Sequence, residues 1–106
     1  MEQYTIYCTE KQTNKALELG APIDVDFQFN SKTVIINNKA YIVPTAEQMI
    51  GWLEEQGVFN INIGYTWKWS YGINDGEITG GYETRKEATL AAISSSLEYL
   101  SKNNEL

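Results

Sequence analysis

Between Phe59 and Ile73 every odd-numbered position is apolar or aromatic (Phe59, Ile61, Ile63, Tyr65, Trp67, Trp69, Tyr71, Ile73), and every position between them is polar or glycine. A helix would scatter those side chains around its axis, whereas a strand gathers them on one face, so the segment has to be β-structure with a greasy side. Fully extended, it would reach about 50 Å at about 3.3 Å per residue, too long for a chain of this size, whose folded radius of gyration should be about 13 Å. The strand must therefore bend, and Gly64 is the expected place.

The next segment supplies a partner. Asp75-Gly76 favours a type I′ turn, whose central residues need positive φ. With Asn74 opposite Glu77, the pairing sets Ile73 across from Ile78 and Trp69 across from Tyr82, while Lys68 meets Glu83 on the wet face. Tyr71 then lies over Gly80, and Gly80-Gly81 marks a bulge that curls the sheet.

Earlier in the chain, Val25, Phe27 and Phe29 alternate with Asp26, Gln28 and Asn30, the pattern of a half-buried strand. Thr33 to Ile36 and Lys39 to Val43 flank Asn37-Asn38, a pair suited to a two-residue turn, so a three-stranded meander is expected. Tyr4, Ile6 and Cys8 suggest a short strand at the start. Three capping boxes open helices: Thr9 with Gln12, Thr45 with Gln48, and Thr84 with Glu87. The first helix should run from Glu10 to about Leu19, stopped by Gly20 and Pro22. The second carries Ala46, Met49, Ile50 and Leu53 on one face and ends at Gly57, with Val58 against Leu53. In the third, Leu90, Ile93, Leu97 and Leu100 form the apolar stripe, Ala88, Ala91 and Ala92 keep the surface thin, and the end falls near Lys102. This β-α-β-β-β-α-β-β-α order predicts one α+β domain over residues 1–106. Its antiparallel sheet is a meander plus a long C-terminal hairpin, with about three helices packed on it.

Composition narrows the functions. Eight Lys and Arg against fourteen Asp and Glu leave a formal charge of −6, which opposes duplex nucleic acid. No stretch approaches the ~18 apolar residues of a membrane span, and Met-Glu-Gln-Tyr-Thr has neither the basic start nor the apolar run of a secretory signal. The chain has no His, which removes the usual general base and the commonest zinc ligand. The lone Cys8 lies in an apolar alternation and is expected to be a small core residue. Asp24 and Asp26 share the wet face of one strand and could offer two carboxylates to Mg²⁺ or to acid–base chemistry. No third acid stands at a metal-site spacing, and a solvated strand face accounts for both. Glycines 72, 76, 80 and 81 match no phosphate-binding loop. No catalytic, cofactor or metal-ligating set is expected, so the reading is of a protein that is not an enzyme.

The sharpest candidate site is the aromatic row itself. Tyr65, Trp67, Trp69 and Tyr71 should project from one face, with Tyr82 alongside. Covered by helices, the row is core, the expected fate of Trp67 and Trp69, because an open row invites aggregation. Left open, it stacks on bases, rings or a partner protein. Tyr71 is the expected exposed member, and a strand that outruns its helix would be covered by a second copy, giving a two-fold homodimer. Arg85 and Lys86 occupy a first helical turn, where cations oppose the dipole, and suit either an anionic contact or a solvated surface. Trp52 stands beside the second helix's stripe and either edges the core or marks an interface.

The stretch Val43-Pro44-Thr45-Ala46-Glu47-Gln48-Met49-Ile50-Gly51-Trp52-Leu53, with the later Tyr82-Glu83-Thr84-Arg85-Lys86-Glu87-Ala88 before Ala91-Ala92-Ile93, resembles a group of short uncharacterised proteins encoded by bacteriophages and mobile elements of gut bacteria. The resemblance runs from Tyr41 to Leu100. It implies a phage or mobile-element origin and a bacterial host cytoplasm, and it carries no activity and no functional residues. Small acidic proteins of such elements often bind host or virion proteins. The leading expectation is thus a non-enzymatic protein-binding or accessory protein, for instance an anti-defence factor, homodimeric and without cofactor. The alternative is a nucleotide or single-strand binder that stacks bases on the aromatic strand.

Overall fold

In a computed structural model, which describes residues 5–26, 28, 31–58, 61–65, 67–74, 76 and 78–104, the three helices start at their expected caps. For residues 103 and 104 only the backbone is described. The expectations placed on Tyr4, Phe27, Phe29, Asn30, Phe59, Asp75 and Glu77 lie outside the described residues.

Helix α1 (Glu10–Glu18) opens on a complete capping box: Thr9 Oγ1 accepts from the Gln12 amide, and Gln12 Oε1 accepts from the Thr9 amide. Strands β1 (Thr33–Ile36) and β2 (Lys39–Ile42) follow, joined by Asn37 and Asn38 at φ 53° and 65°, the left-handed pair a type I′ turn requires. Helix α2 (Ala46–Glu55) has the same reciprocal cap from Thr45 and Gln48. It closes where Gly57, at φ 99°, donates to the Glu54 carbonyl and Val58 donates to that of Leu53. Strands β3 (Asn62–Tyr65), β4 (Trp69–Gly72) and β5 (Thr79–Tyr82) come next, and α3 (Arg85–Asn104) completes the chain, with Thr84 Oγ1 accepting from the Glu87 amide. The class is α+β: among the described residues, three helices with two antiparallel sheets, ordered β1-β2 and β3-β4-β5.

Four details depart from the sequence reading. The alternating segment is two strands rather than one long bent strand: β3 and β4 pair antiparallel, with Tyr65 opposite Trp69, so the chain reverses after Tyr65 and does not merely bend at Gly64. The expected meander is rearranged, because residues 24–26 pair with β2 instead of β1, with Val25 opposite Tyr41 and the Asp26 amide donating to Ala40 at 2.8 Å. The Asp26 carboxylate accepts the amides of Gln28 and Ser31. Among the described residues the first strand forms one bridge, Tyr7 opposite Thr45. Pro44 offers only its carbonyl, to the Cys8 amide, and Thr45 already caps a helix, so the ladder has nowhere to extend. Finally, the last hairpin keeps Trp69 opposite Tyr82 but sets Tyr71 opposite Thr79, not Gly80. The slip is absorbed at Gly81, at φ 95°, and Ser70 rather than Tyr71 lies over Gly80. Its turn also begins one residue early, with the Gly76 amide donating to Ile73 and Asn74 at φ 47°.

The core lies among the helices. Leu53 and Val58 from the α2 end meet Ile93 and Leu97 of α3, with Cys8, Ala16, Val43 and Met49 closing around them. Helix α3 packs against both other helices and all three strands of the larger sheet. Its Ala88, Ala92 and Ser96, spaced by four, have no exposed surface, so close approach to α3 is possible along that line. Gln12 fixes α1 on α3 by donating to the Leu90 carbonyl and to Ser94 Oγ, each at 2.7 Å.

Two of the strand glycines, Gly64 and Gly81, should respond oppositely to substitution. Gly81→Ala forces a side chain into the positive-φ region and should cost about 1–3 kcal/mol. Gly64→Ala meets no atom within 4 Å and should be neutral or stabilise by up to about 1 kcal/mol, as read by denaturant unfolding.

Candidate functional site

Reversal of the chain between β3 and β4 redistributes the aromatic row. Tyr65 and Trp69 become a cross-strand pair whose rings sit 5.2 Å apart at 51°. Trp69 faces Tyr82 across β4 and β5, and the Tyr82 ring lies 6.0 Å from that of Tyr71. These separations fall within the range of favourable aromatic pairs. The expected set is therefore brought together, except that Trp67 leaves the series and occupies the β3–β4 turn.

Exposure along the set runs opposite to the expectation. Tyr71, read as the exposed member, is only 8% exposed, because its hydroxyl reaches Ser95 Oγ of α3 at 2.6 Å. Trp67, read as core, is 90% exposed, and Tyr65 is 62% exposed. Trp69 and Tyr82 are half-buried between them. The row thus passes from an anchored end under α3 to an open end at the turn. Partial burial, with Tyr71 adding to it, raises the Tyr82 phenol above its ordinary value. Beside the open end Lys68 pairs with Glu83 as the register required, but both side chains are solvated, so the pair contributes little.

The other candidates take structural places. Cys8 is buried against the core, and burial pushes its thiol up to about 12. Both Asp26 oxygens are occupied by backbone amides, while Asp24 is exposed and supplies its carbonyl to the Ile42 amide. Trp52 is partly buried against the core cluster and so edges it. Among the described residues no group of three or more acidic, Cys or His side chains is placed to hold a metal ion. No described helix is long and apolar enough to cross a membrane.

Sequence reasoning missed two features. Ile78 is 77% exposed, since the register slip moves it from its expected place opposite Ile73. Among the described residues the Thr89 hydroxyl, like that of Ser96, is buried without a hydrogen-bond partner. The Gly80-Gly81 pair was the available signal for the first, and nothing local to Thr89 signals the second. Comparison with protein-family models, curated proteins and solved structures finds no match to this chain.

Two outcomes follow from these placements. Tyr71→Phe removes the bond to Ser95 and should cost about 1 kcal/mol, a fall in melting temperature of about 4–8 °C. The Cys8 thiol should resist a chromogenic disulfide reagent in the native chain and react once the chain unfolds. Its raised value adds stability that is fully present below pH 9.0 and lost as pH climbs to about 12, so Cys8→Ala should flatten that part of the stability profile.

Proposed function

We propose that this chain is a non-enzymatic binding domain that meets protein through the open end of its aromatic sheet, and that its first partner is a second copy of itself. One observation carries the reading: a tryptophan that is 90% exposed at a hairpin turn, flanked by the exposed Tyr65 and backed by Trp69. An exposed indole adds nothing to the core and invites aggregation unless something covers it, and Trp and Tyr are the residues that most often anchor interfaces. A two-fold pairing would place Trp67 and Tyr65 of each copy at the centre. The absence of His from the sequence, the buried Cys8 and the occupied Asp26 carboxylate favour binding over catalysis. Together with the acidic charge, the resemblance to phage and mobile-element proteins supports an accessory role in a bacterial host cytoplasm.

The competing reading, bases stacked along an aromatic row, keeps Trp67 and Tyr65 but loses Tyr71 to the contact with Ser95. A formal charge of −6 also works against a phosphate backbone.

Solution mass separates the two. Light scattering should give twice the 12.0 kDa of the chain for the native sequence and 12.0 kDa for Trp67→Ala. The substitution should weaken the dimer by about 30-fold or more, the effect of losing a hot-spot tryptophan, without shifting the melting temperature of the monomer. A native chain that is monomeric and whose emission is quenched by mononucleotides would replace this reading with the stacking one.

A further inference from the structure

The register of the β1–β2 ladder leaves one edge of the smaller sheet bare. The Val43 amide donates to the Lys32 carbonyl, and Ile36 pairs with Lys39 across the two-residue turn, so Lys32, Val34 and Ile36 spend their backbone groups on β2. The residues between them, Thr33 and Ile35, aim their amides and carbonyls the other way. On the far side of β2 the equivalent groups are used: the Ile42 amide donates to Asp24, and the Asp26 amide donates to Ala40. No such partner meets Thr33 or Ile35 among the described residues, because the segment expected to lie beside β1 pairs with β2 instead.

Strand β1 also has the character of a pairing template. It runs through four register pairs without a bulge, its sequence Thr-Val-Ile-Ile carries no charge and no proline, and Ile35 is 57% exposed. The edge strand β5, by contrast, is interrupted by the irregularity at Gly81. A cleft of about 270 Å³ lies beside β1, with Ile35 and Ile36 on one wall and Glu10, Lys11 and Asn14 of α1 on the other. Neighbouring strand residues point to opposite faces, so a space lined by both Ile35 and Ile36 follows the edge and not either face.

Charge selects the occupant. Lys32 precedes β1, Lys39 is the register partner of its last residue, and Lys11 lines the cleft, with Glu10 the one acid on its walls. This corner is therefore positive on a chain of formal charge −6. Lys32 lies over the Tyr7 ring, whereas Lys11 and Lys39 make no ion pair among the described residues. A second copy of β1, added about a two-fold axis at Val34, would set Lys32 across from Ile36 of that copy and only two strand spacings, about 10 Å, from its Lys39. Self-pairing is thus opposed by like charges, and an acidic strand is favoured by the same cations.

We propose that β1 is an augmentation site for an extended acidic segment of another protein, which adds antiparallel, exchanges backbone hydrogen bonds with Thr33 and Ile35, and sets an apolar side chain in the cleft beside Lys11. The site uses none of Tyr65, Trp67 or Trp69, so failure of either proposal leaves the other standing.

The test is fluorescence anisotropy of the full chain with an N-terminally labelled peptide, Glu-Val-Thr-Val-Glu-amide. The expected result is saturable binding at least about tenfold tighter than that of Lys-Val-Thr-Val-Lys-amide, a preference that Lys11→Gln combined with Lys39→Gln should remove. Two backbone-methylated forms of the acidic peptide, one carrying methyls on both Val amides and one on the Thr and second Glu amides, report the hydrogen bonds. Only one alternate set of amides faces β1, so one form should lose binding and the other keep it. Ile35→Pro deletes an amide that the β1–β2 ladder does not use, and it should weaken the peptide about tenfold or more without changing the solution mass of the chain. Absence of saturable binding, equal behaviour of the two methylated forms, or preference for the lysine peptide would each overturn the proposal. A lower solution mass for Ile35→Pro would also overturn it, assigning the edge to a second copy. If Ile35→Pro does not fold, the methylated peptides decide.

Discussion

Helix α3 is the surface on which the rest of the molecule is assembled. Both other helices and all three strands of the larger sheet pack on it, so no single apolar stripe would suffice. Its buried positions instead spread around the axis: Ala88, Ala92 and Ser96 make one line, and Ile93, Leu97 and Leu100 widen it toward the core cluster. Small residues on the first line let neighbours come close, and large ones fill the space between α1, α2 and α3. Polar contacts then fix orientation. Gln12 ties α1 to Leu90 and Ser94, and Tyr71 ties β4 to Ser95, so adjacent serines of one turn hold two different elements. The run of three serines, a weak choice for helix propensity, makes sense as a docking turn.

What the sequence disclosed well was local. The capping boxes of α1 and α2 each place two hydrogen bonds within four residues, at α3 only the Glu87 amide to Thr84 half of the box forms, and the Asn37-Asn38 turn needs only two left-handed residues, so these features are set before any tertiary contact forms. The Trp69–Tyr82 pairing and the Lys68–Glu83 pair were also legible, because charge and hydrophobicity had to agree on opposite faces of one hairpin.

The failure at the aromatic segment has a geometric cause. Tyr65 pairs with Trp69, so three residues separate the paired positions, and directly paired residues point to the same face of a sheet. Odd positions before the reversal therefore share a face with odd positions after it, and the alternation passes through the turn without a break. Trp67 alone gives it away, since the middle of a reversal belongs to neither strand, yet the residues around it include no glycine, proline or asparagine to mark a turn. Burial inverted for the same reason. Folding the segment back on itself brings Tyr71 under α3 and carries Trp67 away from it, whereas a straight strand would have put Trp67 nearer the middle of the sheet. The bare edge of β1 was hidden for a different reason. The alternating segment just before the hairpin reads as its neighbour, and only the tertiary pairing of residues 24–26 with β2 uncovers it.

The larger sheet thus has an anchored end and an exposed end, and β3 connects them. Ile63 is the register partner of the buried Tyr71. Tyr65, two residues along the same strand, lies beside the exposed Trp67. Side chains two apart on a strand share a face, so a displacement of β3 relative to α3 would move the exposed aromatic end as well. The Tyr71–Ser95 bond opposes such movement, since it pins β4 and, through the ladder, β3 to the helix. Rigidity at the anchored end therefore lets Trp67 remain exposed without loosening the core.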